Sequence, residues 1–244
     1  HARGHERGRR CGALPWGGRH IGHAETLPVD APPAPWRRID GAVPLLPSPA
    51  VTRILVVRHG QSEWNADGRW QGQENPPLTE LGQRQALHAA QAVGAVDAVY
   101  ASPLERATMT AHLIAESIGI GPVVLLPGLM ERHAGEWQGL TRDQIDVEFP
   151  GYLEAGQRPP GWEDDDLVEA RVMDALATIA GEHPEGHVLA VAHAGVIFAI
   201  ERALDAPWER LANLGGRWLE RTAGGWHIGE RVHLLVDETI PDQI

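Results

Sequence analysis

Lysine is absent from the 244-residue chain, and cysteine occurs once, as Cys11. We take the missing lysine as a compositional bias rather than a sign of function. A single cysteine excludes an internal disulfide and leaves no cysteine-based metal site. No apolar run approaches the roughly 18–20 residues that a membrane helix requires. These absences predict a protein of the reducing cytoplasm that has no membrane as a partner.

An excess of positive charge is also missing. The formal net charge is −12 at pH 7, which argues against a broad nucleic-acid-binding surface. Residues 1–50 contain seven arginines and four acidic residues, whereas the rest of the chain contains 14 arginines and 29 acidic residues. An arginine cluster in a cleft of such an acidic body suits a small anionic substrate. The composition therefore predicts a small-molecule partner and no nucleic acid.

Residues 1–50 differ in composition from the rest of the chain. They hold eight of the 19 prolines, and their apolar residues show no helical or strand period. Such a segment cannot bury enough apolar surface to offset the entropy lost on ordering. It also lacks the apolar stretch of a secretory signal. We expect a disordered Pro/Arg-rich extension over residues 1–50, a natural start near Val51, and one folded domain over residues 51–244.

Short apolar runs alternate with helical patterns through this domain, and 43% of the chain is hydrophobic, which is ample for a core. Strands that alternate with helices predict an α/β fold, a three-layer α/β/α sandwich with a mostly parallel central sheet. The predicted strands are 54–57, 95–101, 123–126, 187–192, 217–222 and 226–236. The predicted helices cover about 80–93, the residues after Ser102, the residues after Thr141, about 165–180, and the residues up to about 204.

Capping residues precede most of these predicted helices. Thr79 and Asp164 are of the type that accepts a hydrogen bond from the first helical turn. Thr141 with Gln144 has the spacing of a capping box. Ser102 followed by Pro103 predicts a cap with proline at the first helical position.

The residues that carry chemistry come directly after the strand ends. The apolar run 54–57 stops at Arg58 and His59, and the run 188–192 stops at His193. If these strands are parallel neighbours, both imidazoles emerge at one edge of the sheet, where open α/β sheets bind ligands. Arg106 lies in the first turn of a helix that comes after another strand, a position that suits a phosphate dianion. Glu131, in the loop after the third strand, is the carboxyl candidate for proton transfer.

Four segments together resemble the histidine phosphatase superfamily, also called the phosphoglycerate mutase-like family. The resemblance covers roughly residues 52–219, and the segments occur in the order of the family. They are Arg58-His59-Gly60-Gln61-Ser62-Glu63-Trp64-Asn65, Ser102-Pro103-Leu104-Glu105-Arg106-Ala107, Glu131-Arg132-His133-Ala134-Gly135-Glu136-Trp137-Gln138-Gly139-Leu140 and His193-Ala194-Gly195.

This resemblance implies a catalytic domain over residues 51–244 that hydrolyses a small phosphorylated metabolite. His59 would be the nucleophile that becomes a phosphohistidine, and Glu131 would protonate the leaving oxygen. Arg58, Arg106 and His193 would hold the phosphoryl oxygens, and their charge makes a metal or other cofactor unnecessary. The second ring nitrogen of His59 must stay protonated, so we expect it to donate to a backbone carbonyl. The implied substrate-binding residues are Ser62, Asn65, Gln71, Gly72, Arg132, Ala194 and Gly195.

Two departures from the family pattern concern the pocket. Ala194 replaces the usual glycine after the second histidine, a change that keeps the backbone N–H. Gly161-Trp162-Glu163-Asp164 stands where many members have Gly-Gly-Glu-Ser, which leaves the substrate open. Trp64, Trp70 and Trp137 lie in the site loops and are expected to shape substrate access.

Four functions compete on these residues. A phosphatase discharges the phosphohistidine to water, whereas a cofactor-dependent phosphoglycerate mutase passes it to a second substrate oxygen. Glu131-Arg132-His133 and Arg142 resemble the mutases, but only 62 positions separate Glu131 from His193, too few for the lid-forming insertion of mutases. Arg69-Trp70-Gln71-Gly72 resembles the broad-specificity phosphatases, so we favour a phosphatase, as a monomer or homodimer. The third function is phosphate binding without catalysis. The fourth is the binding of a metal ion by His59, His133 and His193.

Overall fold

The computed structural model describes residues 50–235. The predicted extension over residues 1–50 lies outside this range except for its last residue, and its disorder stays a prediction. Within residues 50–235, no helix combines the length and the apolar composition needed to span a membrane.

One sheet organises the described part of the chain, with the strand order β3-β2-β4-β1-β5-β6. The first four strands of this order are parallel, β5 runs antiparallel to β1, and β6 runs antiparallel to β5. The mostly parallel sheet predicted from the sequence is therefore confirmed. The strands are β1 (Thr52–Arg58), β2 (Ala98–Ala101), β3 (Val123–Leu125), β4 (His187–Ala192), β5 (Gly215–Thr222) and β6 (Gly225–His233).

Helices cover both faces of the sheet, because the central strand β1 is apolar on both sides. Leu55 and Val57 pack with α2 and α3, and Ile54 and Val56 pack with α5 and α6. This arrangement confirms the three-layer α/β/α sandwich. The helices are α1 (Glu63–Ala66), α2 (Glu80–Val93), α3 (Glu105–Ile118), α4 (Arg142–Glu148), α5 (Asp165–Glu182) and α6 (Ala194–Ala203).

Three of the four predicted caps are confirmed and one is wrong. Thr79, Asp164 and the box of Thr141 with Gln144 accept hydrogen bonds from the first turns of α2, α5 and α4. Ser102 does not cap α3, which begins only at Glu105. Its hydroxyl instead accepts from the Leu104 N–H at 3.2 Å and lies 2.8 Å from His193 Nε2. A contact with a residue 91 positions away thus displaces the local cap.

The second strand is shorter than predicted and begins at Ala98 rather than Ala95. Asp97 explains the late start, because its carboxylate accepts the His187 N–H at 2.7 Å. A side-chain oxygen therefore takes the place of the backbone acceptor at the first rung between β2 and β4. The predicted end of the last strand at Val236 lies outside the described residues, and β6 ends at His233.

The register of β1 and β4 positions the site. Arg58 pairs with Ala192, so the next residue of each chain segment, His59 or His193, leaves the sheet beside the other. The His59 N–H donates to the Ala192 carbonyl at 3.0 Å, which holds the two strand ends together. The imidazole centroids lie 5.2 Å apart. The prediction that both histidines emerge at one edge of the sheet is confirmed.

Candidate active site

A cavity of about 390 Å³ opens at the carboxyl ends of the parallel strands. Four of the five predicted catalytic side chains line it, namely Arg58, His59, Arg106 and Glu131. His193 is fully buried directly behind His59. Six of the seven predicted substrate-binding residues also line the cavity: Asn65, Gln71, Gly72, Arg132, Ala194 and Gly195.

Ser62 is the predicted binding residue that lies elsewhere. It is fully buried and caps α1 by accepting the Asn65 N–H, while the Asn65 side chain accepts the Ser62 N–H in return. The Ser62 hydroxyl donates to Gln71 Oε1 at 2.7 Å. Ser62 therefore positions Gln71 and Asn65 rather than lining the cavity.

The backbone directly after β1 fixes the tautomer of His59. Its Nδ1 lies 2.6 Å from the Gly60 carbonyl oxygen, which only accepts hydrogen bonds, so Nδ1 carries the ring proton. This contact confirms the expected backbone partner. Nε2 then keeps its lone pair and accepts from Arg106 Nε at 3.3 Å. The ring nitrogen beside Arg106 is therefore the one that keeps a lone pair.

Three contacts hold this turn in place. The Gly60 N–H donates to the Thr110 hydroxyl at 3.1 Å, and Asn213 Nδ2 donates to the His59 carbonyl at 3.0 Å. The third is close packing on α2, because a Cβ at Gly60 would lie 2.5 Å from the Gly82 carbonyl oxygen. Thr110 and Asn213 come from α3 and from the segment before β5, so no local pattern points to them.

Arg106 is buried and uses all three guanidinium nitrogens. Nη1 donates to the Glu74 carbonyl at 2.7 Å and Nη2 to the Gly72 carbonyl at 2.8 Å, while Nε faces His59. Gly72 makes this possible with a φ of +51°, and a Cβ there would lie 2.2 Å from Gln138 Oε1. The loop before α2 therefore orients the guanidinium toward His59.

Four buried side-chain nitrogens have no hydrogen-bond partner in the described part of the chain: Trp70 Nε1, Trp137 Nε1, Arg58 Nε and His193 Nδ1. The last two belong to the residues that directly neighbour His59. Arg58 Nη1 donates to the Leu211 carbonyl at 3.0 Å, and His193 Nε2 contacts the Ser102 hydroxyl at 2.8 Å. Buried polar groups are normally paired, so nitrogens of this kind suit hydrogen bonds to a bound anion.

Glu131 is held by the backbone on both carboxylate oxygens. Oε1 accepts the Arg132 N–H at 2.7 Å and Oε2 accepts the Gly195 N–H at 3.2 Å. A Cβ at position 195 would lie 2.2 Å from Oε1, so only glycine permits this approach. The Gly195 N–H, expected to serve the phosphate, instead serves Glu131.

The loop that carries Glu131 is anchored by Arg171 of α5. Its guanidinium donates to the carbonyls of Gly128, Met130 and Glu131 at 3.0, 2.6 and 3.2 Å. Glu163 neutralises the same guanidinium at 2.7 Å. Glu163 belongs to the tetrapeptide that departs from the family pattern, so that segment still supports the loop.

The site keeps its histidines neutral. Burial is the largest cause that lowers the pKa of His59 well below the ordinary value, and the charges of Arg106 and Arg58 lower it further. The pKa of His193 is lowered in the same way, first by burial and then by Arg106. Burial also lowers the pKa of Arg58 and of Arg106 to about 10, so both guanidiniums stay charged at neutral pH.

These lowered values predict that acid destabilises the fold. The unfolded histidines take up protons below about pH 6.5, whereas the folded ones stay neutral to lower pH, so stability present above that value is lost as the pH falls. Between pH 7 and pH 5.5 each of His59 and His193 should contribute a loss of about 1 kcal/mol. Urea denaturation at both pH values measures it. The His59→Ala variant should lose about half of this pH dependence, and an unchanged dependence would contradict the explanation.

The metal-site hypothesis gains no support from the geometry. Residues 50–235 contain no group of three or more His, Cys, Asp or Glu side chains placed to hold a metal ion. His133 contacts the backbone of Gly135 and Gly161 instead of joining His59 and His193.

Aromatic side chains shape the outer part of the cavity. Trp64 and Trp70 line it as expected. Trp137 does not, because it is fully buried and packs edge-on against Trp70 and Trp162, with ring centroids 5.3 and 5.7 Å away. Trp162 also lines the cavity, in keeping with the pocket position expected for its segment, whereas Arg158, Phe198 and Trp208 line it without having been predicted.

Comparisons with known proteins show the family to which the chain is similar. The model of the histidine phosphatase superfamily (branch 1) matches residues 54–231. A metal-independent phosphoserine phosphatase of Arabidopsis thaliana is 39% identical over 169 residues, which are 62% of this chain and 67% of the plant protein. A glucosyl-3-phosphoglycerate phosphatase of Mycobacterium tuberculosis is 35% identical over 196 residues, which are 72% of this chain and 87% of the bacterial protein.

A solved structure shows the same fold. Mycobacterial glucosyl-3-phosphoglycerate phosphatase complexed with VO3 superposes with a TM-score of 0.66 at 32% identity. The superposition covers 72% of this chain and 96% of that protein.

Proposed function

The chain belongs to the histidine phosphatase superfamily, and from that membership we propose that it hydrolyses a small phosphorylated metabolite through a phosphohistidine at His59. The observation that carries the proposal is the tautomer of His59. Its Nδ1 is tied to the Gly60 carbonyl at 2.6 Å, and its Nε2 lone pair lies beside the Arg106 guanidinium.

The first step forms the phosphohistidine. His59 Nε2 attacks phosphorus, the N–P bond forms, and the bond from phosphorus to the ester oxygen breaks. Glu131 gives its proton to the departing oxygen, which leaves as an alcohol. The imidazole becomes cationic, and the Gly60 carbonyl that accepts from Nδ1 stabilises this charge. One difficult displacement is thereby split into two easier ones.

Water completes the second step. The Glu131 carboxylate takes a proton from the water, whose oxygen attacks phosphorus as the N–P bond breaks. The electron pair returns to His59 Nε2, and orthophosphate leaves. Each of these displacements needs positioning and charge stabilisation more than further covalent chemistry.

Three side chains supply that charge stabilisation. Arg106 lies next to Nε2, and Arg58 Nε and His193 Nδ1 are buried nitrogens without another partner among residues 50–235. The Ser102 hydroxyl accepts the Leu104 N–H and lies 2.8 Å from His193 Nε2, and in our proposal it gives its proton to Nε2, so that the one proton of the neutral His193 ring stands on Nδ1 for the phosphate. With two guanidiniums present, the reaction requires no metal, in keeping with the name of the metal-independent plant relative.

The relatives favour water over a second substrate oxygen as the final acceptor. Both are named as phosphatases, one for phosphoserine and the other for glucosyl-3-phosphoglycerate. We propose the same class of substrate here, an ester of a small metabolite, with the cytoplasm as the compartment because a single cysteine suits reducing conditions. The protein acts as a monomer or homodimer.

A panel of phosphomonoesters tests this function. We expect orthophosphate release from phosphoserine, 3-phosphoglycerate and p-nitrophenyl phosphate, unaffected by chelators. In water enriched in oxygen-18, one labelled oxygen should enter each orthophosphate. Conversion of 3-phosphoglycerate to 2-phosphoglycerate without release would instead establish a mutase, and tight binding of esters without turnover would establish a non-catalytic phosphate-binding protein.

A further inference from the structure

The outer part of the cavity contains more positive charge than the reaction requires. Arg58 and Arg106 are placed to balance the two charges of a phosphate dianion. Three more arginines line the same cavity: Arg69, Arg132 and Arg158. Because residues 51–244 carry an excess of 15 acidic over basic residues, such a concentration of cations has to be accounted for.

Two of these three outer arginines already have carboxylate partners. Arg69 lies 3.8 Å from Asp67 and also donates to the Gly139 carbonyl. Arg132 lies 2.6 Å from Asp165. Arg158 has no ion-pair partner in the described part of the chain, so no carboxylate of residues 50–235 balances its charge at contact distance.

Trp162 contacts Arg158 through the face of its ring. The Arg158 guanidinium carbon lies 4.7 Å from the centroid of the Trp162 ring, within the range of a cation–π contact. A cation–π contact of this kind leaves the guanidinium N–H groups available for hydrogen bonds. A planar fork of that kind is suited to bidentate hydrogen bonds with a carboxylate.

Apolar surface lines the same cavity as this charge. Trp208 is 69% exposed, an unusual exposure for tryptophan, and its ring is tilted against Phe198 with centroids 5.9 Å apart. Both residues line the cavity together with Arg158. This outer part therefore offers one free cation and an apolar wall, which suits an organic acid better than a bare sugar phosphate.

We propose that the substrate is a phosphomonoester whose leaving alcohol carries a carboxylate, and that Arg158 stacked on Trp162 binds this group. The proposal rests on the proposed function. A carboxylate carries the one negative charge that balances Arg158, whereas a second phosphate dianion would leave a charge uncompensated. Trp208 and Phe198 contact the carbon skeleton of the alcohol, and Arg158 determines specificity without taking part in the chemistry.

Pairs of substrates that differ only in the carboxylate test this proposal. One pair is 3-phosphoglycerate and glycerol 3-phosphate, and the other is phosphoserine and phosphoethanolamine. The wild type should prefer the carboxylated member by about 10–100-fold in kcat/KM, mainly through KM, because a hydrogen bond to a charged group is of that strength. Arg158→Gln should reduce the preference to about threefold or less.

Controls separate this subsite from the catalytic machinery. Arg158→Gln should affect glycerol 3-phosphate and p-nitrophenyl phosphate much less than 3-phosphoglycerate and phosphoserine, and Arg158→Lys should retain part of the preference. Arg84→Gln, at an exposed position of α2, should change none of these values.

Three results would overturn the subsite while leaving the phosphatase function intact. The first is equal kcat/KM on both members of each pair in the wild type, and the second is an equal loss on both members in Arg158→Gln. The third is a preference for fructose 1,6-bisphosphate over fructose 6-phosphate that exceeds the preference for the carboxylated member of either pair. Failure to release orthophosphate from any ester would instead overturn the proposed function itself.

Discussion

His59→Ala is expected to lower kcat/KM for every phosphomonoester by on the order of 10⁵-fold or more, to the background of the assay. The substitution removes the Nε2 atom that we propose forms the bond to phosphorus, and no other nucleophilic side chain of residues 50–235 is tied into the same position beside Arg106. The remaining guanidiniums still bind phosphate, so the variant should retain affinity for orthophosphate. Steady-state rates and a phosphate-binding isotherm measure the two effects separately.

The matched control for this variant is His88→Ala. His88 is an exposed residue of α2 outside the cavity lining, so its removal should leave kcat/KM unchanged. Thermal unfolding of both variants checks that the fold survives. Activity of His59→Ala within tenfold of the wild type would show that the nucleophile is another group.

Glu131→Gln should have the second largest effect, and the size should depend on the leaving group. Alkyl phosphates need a proton on the departing oxygen, so their hydrolysis should slow by about 10²–10⁴-fold. p-Nitrophenyl phosphate should slow much less in the first step, because p-nitrophenolate leaves without a proton. The amide oxygen of glutamine can still accept one of the two backbone N–H groups, that of Gly195 or that of Arg132, so the loop should stay in place.

The second step provides an independent readout for Glu131. Glutamine cannot take the proton of the attacking water, so the phosphohistidine should accumulate during turnover of p-nitrophenyl phosphate. Glu136→Gln, an exposed acid of the same loop, should change neither rate. An equal loss on both substrates without phosphoenzyme would mean that Glu131 only shapes the cavity.

Strand ends and helix caps were predictable because they depend on neighbouring residues. The apolar run of β1 and the run of β4 each end before a histidine, and parallel pairing is enough to bring His59 and His193 together. Thr79 and Asp164 act within one helical turn, so spacing alone reveals them.

The supporting residues were not predictable, because their partners are far away in the chain. Ser102 has the signature of a helix cap, yet its hydroxyl contacts His193, 91 positions further on. Asn213 supports His59 across 154 positions and matches no local pattern. Arg158 lies in a Gly/Pro-rich stretch whose course decides that it reaches the cavity, so only the structure distinguishes it from an ordinary exposed arginine.

A single measurement tests the covalent intermediate most directly. The protein is mixed with radiolabelled p-nitrophenyl phosphate, quenched in alkali within milliseconds, digested, and the labelled peptide is sequenced by mass spectrometry. A phosphohistidine at His59 predicts a label that is stable in alkali, is lost in acid, is stronger in Glu131→Gln and is absent from His59→Ala. A label on another residue, or steady turnover of substrate with no trapped phosphoenzyme in either the wild type or Glu131→Gln, would contradict it.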